Sequence, residues 1–555
     1  MRERLAYLDR VDTLGDPSTH RDALQIRYHM LRRNASRMPI YWLRSMAPFI
    51  TKPVMHTVVD RRLRASLELL ADTSASTPEQ VDAWWQASEL PTNMGGDDVG
   101  GNEMKCDPCY ASGVGTCWAR LSVLCTNLAG VDICTSALPM LASFRSAYAG
   151  LQTSRGKTEG VYALLDAQNY FTLRGLKLSH YHPDRLPRKL PAIDDIFNPT
   201  SKTHMPPQRM LTRVTMHARW LDCLLTVQKA DATTPHPTVR HRETARFISV
   251  SQETSGSALD IAPDGTFSTT VPNHHFTTYL QRRGGLAISA ARSLVEACAA
   301  DGDHIDAVGD SLANNVEHNR RHNSTLNKTY DMITAVAVGQ VGKGDKEDAD
   351  ATAALNAGTV VDIFELEGDE MTGGDALTEI KVPSPTTKTR TGGRGSAKNG
   401  GNPESVGHLV GFGNTEEIYR RDVYGLRGRG RKRDGPFNHR TGRGWVKARE
   451  GTYHDAIHVK KSRVSLMLVE ATGAISPRSL TVVGYHSRRA RGARGRDSTK
   501  YGKSRASTTN YYIHHVQRIS MAAAIGEAAG IHRAIMIKKQ ARCADMQKRA
   551  RSGAA

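Results

Sequence analysis

Two short runs of strand-forming residues, with a turn-rich segment between them, restrict the fold of this chain more than any other feature. The runs cover residues 359–366 and 376–382, and a Gly-Asp pair and a Gly-Gly pair lie between them. Apolar and β-branched runs on either side of such a segment typically form an antiparallel hairpin. A third run, at residues 464–469, predicts another strand. The chain is therefore expected to contain a β-sheet.

The predicted hairpin brings together acidic and basic side chains. Because side chains alternate along a strand, Glu379 and Lys381 project from one face, while Ile380 points into the core between them. Asp362, on the first strand, lies roughly opposite the second. Asp375 is a rival first acid, but it precedes Glu379 closely enough to lie on the same strand or in the turn. One surface therefore gathers two carboxylates and one amine.

This set of groups is suited to phosphodiester hydrolysis. Mg²⁺ prefers oxygen ligands in an octahedral array, and the carboxylates of Asp362 and Glu379 with the Ile380 carbonyl would supply three. The bound Mg²⁺ would lower the pKa of a water molecule, and Lys381 would orient that water or stabilise developing charge. The alternative, which the residues alone leave open, is a surface strand with a cross-strand ion pair.

The rest of the chain is predicted to be mainly helical. Apolar residues recur at helical spacing over 24–70 and 510–540, whereas residues 74–112 are polar and predict a loop. Residues 247–271 predict short β-like pieces. The length of 555 residues favours about three domains. These are a helical nucleic-acid-associated region at 1–205, a mainly helical connector at 206–335 and a hairpin-containing domain at 336–555.

Part of the last domain has too few apolar residues to form a core. Residues 383–443 are rich in Gly, Arg and Lys and predict a disordered basic insertion, and residues 336–358 predict a linker or a loose helix end. The whole chain is 39% hydrophobic and 6% aromatic, which fits compact units separated by exposed segments.

The charge of the chain favours a polyanionic partner. The formal net charge is +19, and such a surface attracts nucleic acid by Coulomb steering and counterion release. Basic tails also occur in ribosomal and membrane-surface proteins, so charge alone leaves these classes open. The basic run at 427–433 is predicted to contact nucleic acid or to act as a nuclear localisation signal, and a solvated linker is the alternative. The predicted contacts are Arg427, Arg429, Arg431, Lys432, Arg433, Arg488 and Arg489.

Other features bear on the compartment. No apolar run approaches the roughly 20 residues that span a bilayer, and the first residues lead into no signal-peptide core, so we expect no membrane insertion and no secretion. The eight cysteines form no dense framework, which fits a reducing compartment. Cys106 and Cys109 suggest a zinc or redox pair, but no second pair accompanies them. A nuclear or nucleocytoplasmic location is expected.

The spacing Asp362…Glu379-Ile380-Lys381 resembles the D…(D/E)-x-K signature of the restriction-endonuclease-like superfamily. Several further phrases, in the same order, resemble the region that follows the reverse transcriptase in non-LTR (LINE-type) retrotransposon polyproteins. These phrases are Asn34–Arg44, Gly113–Gly115, Ala137–Leu141, Arg246–Val250, Ala258–Pro263, Phe276–Leu280 and Glu470–Gly473.

The resemblance implies a Mg²⁺-dependent DNA endonuclease domain of α/β (α+β) type with a mixed sheet, which nicks target DNA. Lys447 and Tyr453 stand where the resembled domain carries a Lys and a Tyr, and they would contact the phosphate backbone. No polymerase motif is present, and Asp97 and Asp98 lie in a Gly-rich segment. A reverse transcriptase or element RNA would therefore be supplied separately. The alternative is a non-catalytic nucleic-acid-binding remnant or a domesticated scaffold.

The resemblance also implies a small zinc-binding Cys/His motif, which is degenerate in this chain. A tetrahedral Zn²⁺ site needs four nitrogen or sulfur ligands, and the usual second and third cysteines are missing. Without zinc, these histidines would be solvated or hydrogen-bonded. The candidate zinc ligands are Cys298, His304, His318 and His322.

Overall fold

The structure is a computed structural model that describes most of the chain. The described residues are 2–15, 17–113, 115, 133–167, 190, 192, 208–233, 242–263, 269–300, 305–313, 318–337, 340–344, 361–366, 375–384, 419–428, 430–435, 444–494 and 508–553. Several sequence predictions fall outside them, including the insertion between 385 and 418, most of the 336–358 segment, Arg429 and His304.

Helices account for most of the described residues, as the sequence predicts. Before the first strand they are α1 (Arg2–Asp12), α2 (Ala23–Arg33), α3 (Ile40–Ser45), α4 (Pro48–Val54), α5 (Arg61–Ala71), α6 (Pro78–Ser88), α7 (Asn102–Ala111), α8 (Ile133–Ala167), α9 (Gln208–Thr233), α10 (Arg242–Val250), α11 (Asn273–Gly284), α12 (Arg292–Ala300), α13 (Asp310–Ala313) and α14 (His318–Thr334). A π-helical turn, Met55–Asp60, joins α4 to α5.

Residues 74–112 are not a loop, because they contain α6 and α7. Thr77 and Gln80 form a reciprocal capping box at the start of α6, and Pro78 occupies its first turn. Polar capping residues and an N-terminal proline begin helices as readily as they form turns, so composition alone misled the prediction. Trp84 packs α6 against the core of the N-terminal helices, and only 2% of the Trp84 surface is exposed.

The described residues of the 247–271 segment are also not β-like. The segment Arg242–Val250 is helix α10, and Ser257–Asp260 forms a 3₁₀ turn. Phe247 stacks on Trp220 of α9 with ring centroids 5.9 Å apart, and the neighbouring apolar residues are buried in the same cluster. Burial on several sides outweighs the β-branched character of this short run, and the tertiary context therefore selects a helix.

The sheet has four strands in the order β1-β2-β3-β4. They are β1 (Val341–Lys343), β2 (Ile363–Glu365), β3 (Ala376–Lys381) and β4 (Arg463–Leu468). The predicted hairpin is confirmed, because β2 pairs antiparallel with β3, and Ile363 faces Thr378. Strand β1 pairs antiparallel with β2, and β4 pairs parallel with β3. The sheet is therefore mixed, and β3 is an interior strand.

Three long helices pack around this sheet. Helix α14 precedes β1, and α16 (Pro477–Arg494) and α17 (Tyr511–Gly553) follow β4. The short helix α15 (His454–His458) lies between β3 and β4. Helix α17 confirms the closing helix and is longer than the sequence indicated. Its first part, with Ile519, is buried in the core of the sheet, and Ala524 and Ala528 pack in the core of the N-terminal helices. One helix therefore contributes to both cores.

The turn after β4 forms a second junction between the helical region and the sheet. Ser249 of α10 donates a hydrogen bond to Oε2 of Glu470, and the Thr254 hydroxyl accepts one from the Ile475 amide at 2.7 Å. The Glu470 carboxyl group is fully buried, and burial raises its pKa to about 7. The two units are thus joined by buried polar contacts as well as by α17.

Part of the segment predicted as a disordered insertion is structured. Residues 419–424 are helical, Lys432–Asp434 forms a 3₁₀ turn, and Val423 packs with Leu377 and Leu466 against the sheet. Tyr419 and Tyr424 join Val423 at this contact, and average composition does not reveal such a local cluster. Among the described helices, none combines the length and the apolar character needed to cross a bilayer.

Candidate active site

The first predicted acid is fixed to the backbone of the strand that carries the second. Asp362 directly precedes β2, and its Oδ2 accepts a hydrogen bond of 2.7 Å from the Ile380 amide of β3. The antiparallel register ends at Ile363 and Thr378, so the carboxylate takes a ladder position that no β2 carbonyl fills. The hairpin thus brings Asp362 beside the Glu379-Ile380-Lys381 segment, as the sequence indicated.

Glu379 is buried and has partners on both carboxylate oxygens. Lys381 donates to Oε1, and the Tyr453 hydroxyl donates to Oε2. Burial raises the pKa of Glu379, the neighbouring Asp362 charge raises it further, and Lys381 opposes both effects. Burial lowers the pKa of Lys381, but the Glu379 carboxylate outweighs burial, so the net pKa lies above its usual value. Lys381 is therefore a cation at neutral pH.

His322 of α14 enters the same site from the side of the helix. Its Nε2 lies 3.3 Å from Oδ1 of Asp362 and 3.2 Å from the Ile380 carbonyl oxygen. The hydrogen bond to Asp362 is the largest cause that raises the pKa of His322, and burial opposes it. Both oxygens are acceptors, so we assign a proton to Nε2 in this state.

Two further side chains lie behind Lys381. Tyr419 packs beside the sheet, and burial raises its pKa, whereas Lys381 and Arg321 lower it. Arg321 is almost fully buried on α14, and its Nε donates to the Val382 carbonyl at 3.1 Å. This contact fixes α14 to the end of β3 and therefore fixes the position of His322.

The oxygen-rich edge of the site fits a hard cation only in part. Within the described ranges, no three His, Cys, Asp or Glu side chains are arranged as a metal site. Glu379 does not join Asp362 in such a site because both of its carboxylate oxygens accept hydrogen bonds, from Lys381 and Tyr453. Asp362 and the Ile380 carbonyl remain side by side, joined by the single imidazole of His322. These donors suit a divalent cation once Glu379 exchanges a partner.

Five of the cations predicted to contact nucleic acid are exposed on a basic lobe, which we define as residues 425–428, 430–435 and 444–451. An antiparallel bridge between Leu426 and Arg449 holds the lobe together, and the Trp445 amide donates to the Gly435 carbonyl at 2.8 Å. The exposed cations are Arg427, Arg431, Lys432, Arg433 and Lys447. Arg488, on α16, is exposed as well.

Two residues predicted to contact nucleic acid are buried instead. Arg489 forms an ion pair with Glu365 at 2.6 Å, and both side chains are less than a tenth exposed, at 6% and 3%. Tyr453 has 1% of its surface exposed and faces Glu379. Neither side chain is on the surface that nucleic acid would meet, so their placement favours structural and positioning roles.

The candidate zinc ligands are not brought together where their side chains are described. Cys298 is buried beside Arg542 near the end of α17, with its Sγ 3.8 Å from the guanidinium. Arg321, next to His322, faces Gly526 of the same helix. A helix rises about 1.5 Å per residue, so Gly526 and Arg542 are separated by about 24 Å. Cys298 and His322 therefore cannot bind one ion, whereas the His304 and His318 side chains lie outside the description.

Sequence reasoning missed how His322, Arg321 and Tyr419 meet at the site. The sequence predicted His322 only as a candidate zinc ligand. A signal did exist in the position of α14, which directly precedes the first strand of the sheet.

Comparisons of the chain with protein-family models, with curated proteins and with solved structures found no match.

Proposed function

We propose that this chain is a retroelement-derived nucleic-acid-binding protein whose sheet carries a Mg²⁺-dependent DNA endonuclease that nicks a target duplex. One observation carries the proposal. Asp362 is hydrogen-bonded to the β3 backbone between Glu379 and Lys381, so two acids and an amine lie at the open end of the β2–β3 hairpin.

The topology supports the proposal at the level of the fold. The resemblance to restriction-endonuclease-like domains implies a mixed sheet in which an acid-bearing hairpin is followed by a further strand and a helix. The order β2, β3, β4 and α16 agrees with this arrangement, and β4 is parallel to β3. The agreement is one of element order and direction.

Asp362, Glu379 and the Ile380 carbonyl would hold the cation beside a scissile phosphate. A bound Mg²⁺ lowers the pKa of a coordinated water and neutralises charge that develops on the phosphate. Lys381 remains charged, so it orients the attacking water or stabilises the phosphate oxygens and does not act as a base. The Tyr453 hydroxyl fixes one oxygen of Glu379 and leaves the Lys381-bound oxygen as the one free to exchange.

The basic lobe supplies the surface for the nucleic-acid backbone. It adjoins the site because Tyr424 donates to the Val464 carbonyl of β4 at 3.0 Å and Val423 packs with Tyr453. Exposed Arg and Lys contribute sequence-independent affinity through counterion release. The same basic run would serve as the nuclear localisation signal, which places the enzyme with its DNA substrate.

A non-catalytic nucleic-acid-binding remnant is the second candidate, and one observation favours it. Both oxygens of Glu379 already have partners within the protein, so the acid is satisfied without a cation. In a remnant, the lobe would bind DNA while the Glu379–Lys381 pair served as an internal ion pair.

A nicking assay on supercoiled plasmid separates the two. The full chain is expected to produce open circles with Mg²⁺, and Asp362→Asn and Lys381→Met are expected to lower the rate by at least about a hundredfold. Asp375→Asn is the matched control, because Asp375 directly precedes β3 and is separated from Glu379 by the first half of the strand, so this variant should retain activity. Equal rates in wild type, Asp362→Asn and Lys381→Met would reject the nuclease. Salt-sensitive DNA binding without nicking would support the remnant.

A further inference from the structure

The His322 ring lies against two of the oxygen atoms that would hold the cation. Its Nε2 is 3.3 Å from Oδ1 of Asp362 and 3.2 Å from the Ile380 carbonyl oxygen. The ring therefore contacts a side-chain oxygen from the hairpin and a main-chain oxygen from β3 at the same time. A helical side chain that reaches both belongs to the site and is not a solvated surface group.

These separations match the spacing of neighbouring ligands around one ion. In an octahedral site with bonds of about 2.1 Å, adjacent ligand atoms lie about 3.0 Å apart, which follows from the right angle between the bonds. The two contacts of Nε2 exceed this value by only a few tenths of an ångström. Bound to the same ion, Nε2 and each of the two oxygens would therefore keep close to their present separations.

The protein holds the ring in this place by contacts that do not involve a cation. Arg321 donates to the Val382 carbonyl at 3.1 Å, and its backbone faces Gly526 of α17, where the two helices approach closely. On the other side of the ring, Nδ1 lies 3.3 Å from Oδ1 of Asn323. A second polar partner on the remote nitrogen orients metal-binding histidines and sets their tautomer.

We propose that His322 is a direct ligand of the divalent cation, so that this mixed nitrogen and oxygen site binds Mn²⁺ more tightly than it binds Ca²⁺ or Mg²⁺, the cation of the proposed reaction. This inference rests on the proposed function, because it uses the same Asp362 and Ile380 oxygens.

The chemical class of the ligand determines this selectivity. Mg²⁺ and Ca²⁺ are hard cations that take oxygen ligands almost exclusively, whereas imidazole suits first-row transition ions. Mn²⁺ accepts carboxylate and carbonyl oxygen as well. Replacing one oxygen by an imidazole nitrogen therefore favours Mn²⁺ relative to the two hard cations.

Electron spin echo spectroscopy of Mn²⁺ bound to the full chain tests the inference without relying on activity. Directly bound imidazole gives a nitrogen modulation, which should be present in wild type and absent in His322→Ala. Mn²⁺ affinity, measured from the free-ion signal, should fall by about tenfold or more in this variant. His322→Asp replaces the nitrogen with oxygen, so it should restore binding while lowering the preference for Mn²⁺ over Mg²⁺.

His458→Ala is the matched control. His458 is an exposed histidine whose ring lies 4.5 Å from that of His454 on α15 (His454–His458), and such a pair could bind Mn²⁺ adventitiously. The modulation and the affinity should survive this change.

Each failure has a separate meaning. Mn²⁺ binding that depends on Asp362 but keeps its nitrogen modulation and its affinity in His322→Ala would overturn the ligand role alone. A modulation that disappears in His458→Ala would also overturn it, because the nitrogen would then come from α15. No binding in wild type, or binding unaffected by Asp362→Asn, would overturn the proposed active site together with this inference.

Discussion

The Tyr453 hydroxyl donates a hydrogen bond to Oε2 of Glu379 across a sequence separation of 74 residues. Tyr453 directly precedes α15, and Glu379 is in the middle of β3, so the contact depends on the packing of the segment before β4 against the sheet. Because Lys381 binds the other oxygen, the two partners fix the plane of the carboxylate. The orientation of this acid is thus set by a residue that sequence reasoning assigned to the phosphate backbone.

Tyr453→Phe should loosen the orientation of the Glu379 carboxylate without removing the acid. The change leaves one oxygen of a buried carboxylate without its donor, so the free energy of unfolding should fall by about 1–3 kcal/mol and nicking should slow. Chemical denaturation and the plasmid assay measure these effects. Tyr424→Phe is the matched control, because it removes a hydroxyl that donates to the Val464 carbonyl and not to the acid. An equal loss of nicking in both variants would argue against a specific role for Tyr453.

Arg488 and Arg489 provide a contrast between neighbouring residues. Arg489 pairs with Glu365 in the core, so Arg489→Met leaves a buried charge without a partner and should lower the free energy of unfolding by about 3–5 kcal/mol. Arg488 is exposed, and Arg488→Met should change it by less than about 0.5 kcal/mol. Urea denaturation of both variants provides the comparison. Similar stabilities would contradict the buried ion pair.

Glu470 predicts a pH dependence of stability with a defined sign. Its pKa is about 7 in the folded protein, against an ordinary value of 4.5, so the folded state holds this proton over a range in which the unfolded state has released it. The stabilisation is complete below about pH 4.5 and is lost as the pH rises toward 7, by about 3 kcal/mol for this group.

Glu470→Gln isolates that contribution. The amide resembles the protonated acid, so the variant should lose less stability than wild type between pH 5 and pH 8 and should be the more stable of the two at pH 8. Thermal unfolding across this range is the measurement. A wild type and a variant with parallel pH profiles would show that Glu470 does not titrate there.

The basic lobe predicts the salt dependence of DNA binding. A variant with Arg431, Lys432 and Arg433 each replaced by Gln should bind more weakly. The slope of log affinity against log salt should decrease by about 0.9 for each phosphate that the variant no longer neutralises. Fluorescence anisotropy with a labelled duplex at several salt concentrations gives the slope. Arg61→Gln, on an exposed site of α5, is the control and should leave it unchanged. An unchanged slope in the triple variant would remove the lobe from the DNA-binding surface.

Local patterns predicted the parts of the fold that depend on local sequence. Alternating side chains and turn residues identified the β2–β3 hairpin, and an apolar run identified β4, so the position of Asp362 beside the Glu379–Lys381 segment was predictable. These features need only the strand period and the turn chemistry.

Contacts between distant segments were not accessible in this way. Nothing near Arg489 in the sequence indicates that Glu365 will be its partner, and nothing near His322 indicates that α14 packs on the end of β3. From sequence alone, a basic cluster is therefore predicted to be exposed and a histidine is predicted to bind zinc. Only the packing of distant segments shows which residues they contact. Contacts between distant segments also explain why the short apolar run of α10 is helical, because Phe247 stacks on Trp220.

Helix α17 has a consequence for how this protein could be divided. Ile519 lies in the core of the sheet, and Ala528, further along the same helix, lies in the core of the N-terminal helices. Dividing the chain on either side of the sheet would therefore remove α17 from at least one of the two cores and expose the apolar residues that it covers. The unit that contains the sheet therefore cannot be exchanged as an independent module. We expect a fragment with the sheet alone to need the whole of α17, and to need a substitute for the N-terminal helices that pack against it.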